Sequence, residues 1–391
     1  MKILYLTHPR YITVSLLRVI EQVEAIASLG HSVTLVATSR RGFKVCRFEH
    51  NGVHYVTTPS FLWGKLRHGA DLFDALFRMV ALRKEPFDIV HAIDSRPTVI
   101  LPALFVKKRC RSPLIMDWID LYGHGGTISE RSSRIYAATL GHVETFFEEY
   151  FRKYADRAMP ISTMLEKRML SLGYPKEKIL LQRAGCDTKK FTPQSKTVCR
   201  DKLLLPQDAT ILGYVGSIYP RDLDLLIQSL EILQRQESRT IITVLVGGNH
   251  NLEPSLVKRL NIVLTGRIDS SQLYEYLAAA DLCLIPFIDS IANKARWPSK
   301  FADYVNAGRP TVATRVSDFE LLFQRHNLGF LANADTPESF AFEITRAMND
   351  QAQLVKIGQA CRTFAERYLD VTHLARQRVA LYEEALMGKP Q

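Results

Sequence analysis

The chain has 391 residues, 47% hydrophobic and 23% charged, with a formal net charge of +11. That length suits two domains and that balance suits a soluble globular protein, which excludes a disordered chain. Apolar runs such as 241–246 and 282–287 fall far short of the ~20 residues that span a bilayer. The opening apolar stretch 3–6 stops at Thr7 and His8, unlike a signal peptide, so a cytoplasmic location is expected. Residues 1–200 carry +13 and residues 201–391 carry −2, which predicts different partners for the two halves. Six scattered cysteines without a CxxC pair speak against a zinc site or a disulfide framework and read as buried filler.

Taken in chain order, the first half alternates β-type apolar runs with amphipathic stretches. Strands are expected at 3–6, 33–37, 54–57, 89–93, 114–116, 158–161 and 179–182. Helices are expected near 14–29, 70–84, 97–109, 132–156 and 163–172. A polar, proline-flanked segment at 192–208 reads as the linker. Beyond it, strands are expected at 211–215, 241–246, 262–264, 282–285, 311–313 and 329–331. Helices follow at 222–236, 271–280, 299–307, 336–348, 353–368 and 372–387. Strand–helix alternation predicts parallel sheets covered on both faces. The expected fold is α/β, with doubly wound domains at 1–195 and 196–370 facing each other across a cleft. Such sheets bind ligands at the carboxyl ends of their strands.

Chemistry concentrates in 286–314, where a buried-type strand leads through a polar loop into a short helix that stops at Gly308. Pro298 suits the first helical position, where its missing N–H costs nothing. Ser299, Lys300 and Asp303 then share one side of the helix, while Phe301 and Val305 point into the core. Free N–H groups, a hydroxyl and an ammonium make an anion site suited to a diphosphate. One turn on, the Asp303 carboxylate can accept two hydrogen bonds from a vicinal diol such as a ribose. A Lys and an Asp three apart are equally an ordinary solvated ion pair.

The run Pro298-Ser-Lys-Phe-Ala-Asp-Tyr-Val-Asn-Ala-Gly-Arg-Pro-Thr-Val-Ala-Thr314 resembles the donor-site signature of GT-B retaining glycosyltransferases of the family 4, group 1 type. Further matches follow in the family's order. Gly30-His-Ser-Val33 is similar to "GHeV", and Ala155-Asp-Arg-Ala-Met-Pro-Ile-Ser162 to "aD.vi..S". Ala184-Gly-Cys-Asp-Thr-Lys-Lys-Phe-Thr-Pro193 is similar to "nGvD…F.P", and the stretch from Gly213 to Leu226 to "vGrl…KG.d.Li". Gly266 and Ala280-Asp-Leu-Cys-Leu-Ile-Pro286 are similar to "G.v…aD..l.P". These matches cover nearly the whole chain. The resemblance implies two Rossmann-like GT-B domains, with acceptor binding in the first. It implies a nucleotide-sugar donor (UDP- or GDP-linked) held by the second, and transfer with retention. It implies no cofactor and no obligatory metal. It also implies a final helix, 371–391, that returns to the first domain.

Carried over by position, Asp303 takes the place of the second glutamate of the E-x7-E motif, and Ser299 and Lys300 fall at the diphosphate loop. The first glutamate is replaced by Ala295, so Asn293, Lys294 and Arg296 are the candidates for the donor sugar. The phosphate-binding arginine that follows Gly216 is replaced by Ser217, which makes Arg221 the second phosphate ligand. Gly247 and Arg267 line the nucleotide or serve as ordinary turn residues. Lys300 and Arg221 would neutralise the charge developing on the departing diphosphate. On the acceptor side, Asp117 or Asp120 orients a hydroxyl or the donor sugar, or caps the next segment. His8 and Arg10 approach the diphosphate or are plain loop residues.

Two basic stretches, 61–68 and 107–111, bear on a membrane. The first runs into an apolar stripe of Leu72, Phe73, Leu76, Phe77 and Val80. Such a stripe packs on a sheet or, beside a +13 half, on anionic lipid. The expected function is sugar transfer to a glycan, lipid-linked or small-molecule acceptor in cell-surface polysaccharide or glycoconjugate synthesis, peripheral on the inner face of the membrane. The alternative is a degenerate GT-B partner subunit that binds nucleotide without turnover. An epimerase or phosphorylase matches the motifs less well, and scattered basic residues without a binding motif argue against nucleic acid.

Overall fold

The computed structural model describes residues 1–10, 14–39, 44–61, 69–124, 126–128, 134–248 and 250–388. They form two compact units: Met1–Ala184, Ala295–Trp297 and Val371–Gln391 in one, Gly185–Lys294 and Pro298–Asp370 in the other.

In the first unit, seven strands form one sheet. They are β1 (Lys2–Arg10), β2 (Ser32–Thr38), β3 (Cys46–His50), β4 (Val53–Thr58), β5 (Ile89–Ile93), β6 (Leu114–Trp118) and β7 (Arg157–Pro160). Their order is β3-β4-β2-β1-β5-β6-β7, parallel throughout except for β3, which runs antiparallel to β4. β3 is exposed along its whole length and so has no apolar run to announce it. The expected strand 179–182 is only a bridge, with Ile179 opposite Ala158.

Alternate residues of the sheet fill two cores, as a period of two requires. Leu4, Leu6, Val90 and Met116 meet Val99, Ala103 and Val106 of helix Pro97–Cys110. Ile3, Tyr5, Val33 and Leu35 meet Val19 and Val23 of helix Val14–Ser28. Leu381, Tyr382 and Ala385 of the final helix, Val371–Met387, complete this second core.

Helix Leu72–Leu82 is turned against its hydrophobic pattern. Its buried face carries Asp74 and Arg78, an ion pair at 2.9 Å with both side chains within 1% of full burial. Thr58 Oγ1 and the Thr7 carbonyl accept further bonds from Arg78, and Thr38 Oγ1 donates to Asp74 at 2.7 Å. With its charges satisfied inside, the helix leaves Leu72, Phe73, Leu76 and Val80 about half exposed. Phe77 stacks on Phe61. Residues 62–68 of the first basic stretch lie outside the described residues. In the second stretch, Lys107 pairs with Asp156 and Arg109 donates to the Leu82 carbonyl, leaving Lys108 and Arg111 exposed.

The second unit is a six-stranded parallel sheet of β8 (Thr210–Val215), β9 (Ile241–Val246), β10 (Ile262–Leu264), β11 (Leu282–Ile285), β12 (Thr311–Thr314) and β13 (Gly329–Ala332). The order β10-β9-β8-β11-β12-β13 reverses between β8 and β11, the arrangement of dinucleotide-binding sheets.

The expected linker is not one. Residues Lys196–Lys202 form a helix, and the boundary between units falls between Ala184 and Gly185. Arg200, 2% exposed, donates to the carbonyls of Ala279, Gln207 and Ala209 and pairs with Asp281 at 2.6 Å. A polar segment whose partners lie 80 residues away looks like a linker in sequence. Helices Pro254–Arg259, Ile291–Ala295 and Phe319–His326 likewise escaped the periodicity.

Candidate active site

In the second unit Gly216, Ser217, Gly247 and Lys300 lie at the carboxyl ends of β8 and β9. Gly216 and Gly247 end these strands at φ +79° and +70°, which only glycine adopts cheaply. At Gly248 (φ +73°) a Cβ would stand 3.0 Å from the Gly216 carbonyl and 2.8 Å from His250 Nε2, so the two turns approach too closely for any side chain. Helix Ser299–Asn306 starts beside them. Its Tyr304 hydroxyl accepts from the Val215 N–H at 3.0 Å and donates to the Leu284 carbonyl at 3.5 Å, tying the helix to the ends of β8 and β11. Pro298 is the N-cap, in extended conformation, rather than the first helical residue.

Lys300 reaches from this helix to the β8 turn. Its Nζ lies 3.7 Å over the Tyr214 ring, donates to the Tyr214 hydroxyl and is 3.3 Å from the Ser217 carbonyl. The ammonium is therefore held in place before any ligand arrives. Ser299 and Ser217 are exposed beside it. Asp303 is buried one turn on, where it accepts from the Tyr274 hydroxyl at 3.1 Å. Tyr274 in turn stacks on Phe191 at 4.1 Å and accepts from Asn306. The hydrophobic face thus includes the residue read as a polar ligand, because a tyrosine hydroxyl meets it there.

Arg221 is exposed in the first turn of helix Pro220–Gln236, and Arg267 is exposed beyond β10. Asn293 gives its Nδ2 to Asp222 (2.9 Å) and to the Ile288 carbonyl, while its buried Oδ1 has no hydrogen-bond partner. Lys294 pairs with Asp289, and Arg296 belongs to the first unit. His250, which the sequence did not single out, lies near Tyr214. Burial, with a contribution from the Lys300 charge, holds its imidazole below the ordinary range.

In the first unit Asp117 is not open for a ligand. Its Oδ1 is 2.8 Å from His91 Nε2 and its Oδ2 accepts from Arg378 at 3.3 Å, both partners buried. His91 Nδ1 meets the Tyr382 hydroxyl at 2.6 Å, and Tyr382 bonds Tyr5. The carboxylate expected to touch substrate instead joins the final helix to the sheet. Asp120 is half-buried and accepts from the Tyr122 hydroxyl at 3.3 Å. His8 is buried, 3.6 Å from Asp94 Oδ2, and the side chain of Arg10 lies outside the described residues.

Asp94, Arg96, Glu148 and Arg152 were not read from the sequence. Asp94 follows β5 at φ +65°, strained for a residue with a side chain, and burial pushes its carboxyl up to about 7. Burial lowers the Arg152 guanidinium to about 10. Glu148 accepts from Trp118 Nε1 (3.1 Å) and from the amides of Tyr122 (2.9 Å) and Gly123 (2.6 Å), which fixes the loop after β6. A buried acid with a raised pKa beside a strained backbone is the combination that marks working sites. The only sequence signal was the position of Asp94 just past a strand.

The glycosyl transferase 4-like domain model matches residues 17–185, and the glycosyl transferases group 1 model matches residues 209–350. The chain thus carries a glycosyl transferase 4-like domain followed by a glycosyl transferases group 1 domain. A D-inositol 3-phosphate glycosyltransferase of Thermobispora bispora is 25% identical over 255 residues, 61% of this chain and 58% of that protein. The amylovoran biosynthesis glycosyltransferase AmsK of Erwinia amylovora is 24% identical over 274 residues, 67% and 63%. The chain therefore spans about six-tenths of the length of these relatives. Among solved structures, Anabaena HepE in complex with UDP-glucose superposes with a TM-score of 0.71 at 14% identity over 98% of this chain and 100% of that one. The fold is that of GT-B glycosyltransferases.

Proposed function

We propose that the chain is a retaining glycosyltransferase that moves a sugar from a nucleoside-diphosphate donor to a glycan, lipid-linked or small-molecule acceptor. The pre-positioned Lys300 ammonium at the glycine turn of β8 carries this reading. There it would meet the diphosphate with Ser299, Ser217, Gly216 and Gly247, and Arg221 from the next helix would add a second positive charge. Asp303 would take the ribose diol, and Asn293 Oδ1 would accept from a donor-sugar hydroxyl. Chemistry of this type needs the leaving diphosphate neutralised and the acceptor held, and Lys300 with Arg221 would supply the neutralising charge from the chain itself.

The test is thermal unfolding with UDP, GDP, ADP and TDP, free and as sugar conjugates, for wild type and Asp303→Asn. One base should stabilise the wild type by about 2.7 kcal/mol at 100 times its dissociation constant, and the variant should lose most of that shift. An equal shift in both proteins would remove Asp303 from the site, and no shift with any nucleotide would remove the donor reading.

The role we propose is cell-surface polysaccharide or glycoconjugate assembly, which the similarity to AmsK, a glycosyltransferase of amylovoran biosynthesis, supports. A peripheral position on the inner face of the membrane goes with it. Among the described residues no helix is long and apolar enough to cross a membrane. The half-exposed Leu72, Phe73, Leu76 and Val80 and the +13 charge of the first half favour surface binding. Co-sedimentation with phosphatidylglycerol vesicles should fall by roughly tenfold or more in Phe73→Asp/Leu76→Asp, since each aromatic or leucyl side chain buried contributes about 1.5–3 kcal/mol. Unchanged sedimentation would exclude this face.

A further inference from the structure

The sheet of the first unit reverses its strand order between β1 and β5, and ligands of doubly wound sheets bind at the carboxyl ends of such strands. Asp94, just past β5, lines a cavity of about 60 Å³ together with Arg96 and Arg152. All three are more than nine-tenths buried, and each holds atoms with no hydrogen-bond partner: Asp94 Oδ2, Arg96 Nε, and Arg152 Nε and Nη2. The groups are rigid. Arg152 lies 3.8 Å over the Trp118 ring and gives Nη1 to the Asp117 carbonyl at 3.2 Å, and Arg96 lies 4.2 Å over the Tyr122 ring. Each buried polar atom left unpaired costs about 1–3 kcal/mol. Four such atoms fall on three charged residues that line one cavity, beside a strained Asp94 whose Oδ2 lies 3.6 Å from the His8 ring, and this marks the cavity as a place for a ligand.

The unpaired atoms select the chemistry of that ligand. A phosphate or carboxylate would satisfy the guanidinium donors but repel the Asp94 oxygen. An ammonium would do the reverse. A hydroxyl donates and accepts at once, and Tyr122 and Phe147 supply an apolar wall for the C–H face of a ring. The volume admits one edge of a ring rather than a whole sugar. We propose that this cavity takes a hydroxyl-bearing edge of a sugar ring of the acceptor, which donates to Asp94 Oδ2 and accepts from Arg96 and Arg152. The assignment rests on the transferase reading above.

Saturation-transfer NMR with the methyl glycosides of glucose, galactose, mannose and N-acetylglucosamine tests it on wild type, Asp94→Asn and Arg96→Met, with inorganic phosphate as competitor. At least one glycoside should bind the wild type and bind both variants roughly tenfold more weakly, the loss expected of a hydrogen bond to a charged group. Phosphate should not displace it. Absence of binding by every glycoside, equal binding by the variants, or displacement by phosphate would each overturn the assignment. Asparagine tolerates the left-handed backbone, so Asp94→Asn alone decides if Arg96→Met fails to fold. The nucleotide-induced melting shift of the same samples reports on the donor reading. A wild type that shifts with nucleotide but binds no glycoside condemns the cavity assignment only, and a wild type that shifts with no nucleotide condemns the transferase reading.

Discussion

Replacing Lys300 with alanine is expected to lower kcat by roughly 100- to 1,000-fold, the loss typical of removing one pre-organised donor from a site of developing charge. Negative charge builds on the diphosphate as the glycosidic bond breaks, and a fixed ammonium stabilises that state more than the bound donor. Lys300 is fixed by the Tyr214 hydroxyl and ring and by the Ser217 carbonyl. Those oxygens lie beside exposed Ser217 and can be hydrated in the variant, so stability should fall by only about 1 kcal/mol. Lys300→Arg would keep the charge and replace a compact ammonium with a planar fork, recovering part of the rate. The measurement is turnover of the nucleotide sugar at saturation, alongside the nucleotide-induced melting shift. A kcat for Lys300→Ala within threefold of wild type would remove this residue from the chemistry.

Asp117→Ala is expected to destabilise the first unit by about 3–5 kcal/mol, because it leaves Arg378 buried without its counter-charge. For a unit of this size that corresponds to a melting shift of roughly 10 °C. Burial works against ionisation of Asp117, but the charges and hydrogen bonds of His91 and Arg378 outweigh it and hold the carboxyl below its usual value. Burial also holds His91 below 6.5, so Arg378 supplies the lasting positive charge. The pH dependence follows from both directions. The unfolded chain takes up a proton on His91 below about 6.5 while the folded chain resists, so stability falls on acidification from that point. The Asp117 contribution is present above 3.8 and is lost below it, as the pH falls through the depressed folded value. Denaturant unfolding of both proteins between about pH 8 and about pH 2 checks this. A catalytic role for Asp117 predicts instead lost turnover with melting within about 2 °C of wild type.

The residues of the proposed donor site stand out in the sequence because they are local. Ser299, Lys300 and Asp303 sit within one and a half turns of a single helix, and glycines at the ends of β8 and β9 announce tight turns by their identity. Motif order along the chain carried the family in the same way. Burial of Asp303 escaped the reading, because Tyr274, its partner, comes from another helix. Asp117 looked like a ligand for a similar reason. Arg378, which neutralises it, is 261 residues away.

Helix Leu72–Leu82 shows the limit of hydrophobic periodicity. Its apolar stripe left packing on the sheet and contact with lipid both open, and the fold buries the Asp74–Arg78 pair, since threonines of β2 and β4 and the Thr7 carbonyl satisfy every charge. Alternation of strands and helices by itself determined the two sheets and their parallel strands, all but the exposed antiparallel β3, because backbone periodicity is a property of neighbours in sequence. Only the tertiary structure decided which charged groups are spent on one another and which, like Asp94, Arg96 and Arg152, line a cavity with some of their buried atoms unpaired. Desolvation and pairing depend on residues far apart in the chain, and no local pattern encodes them.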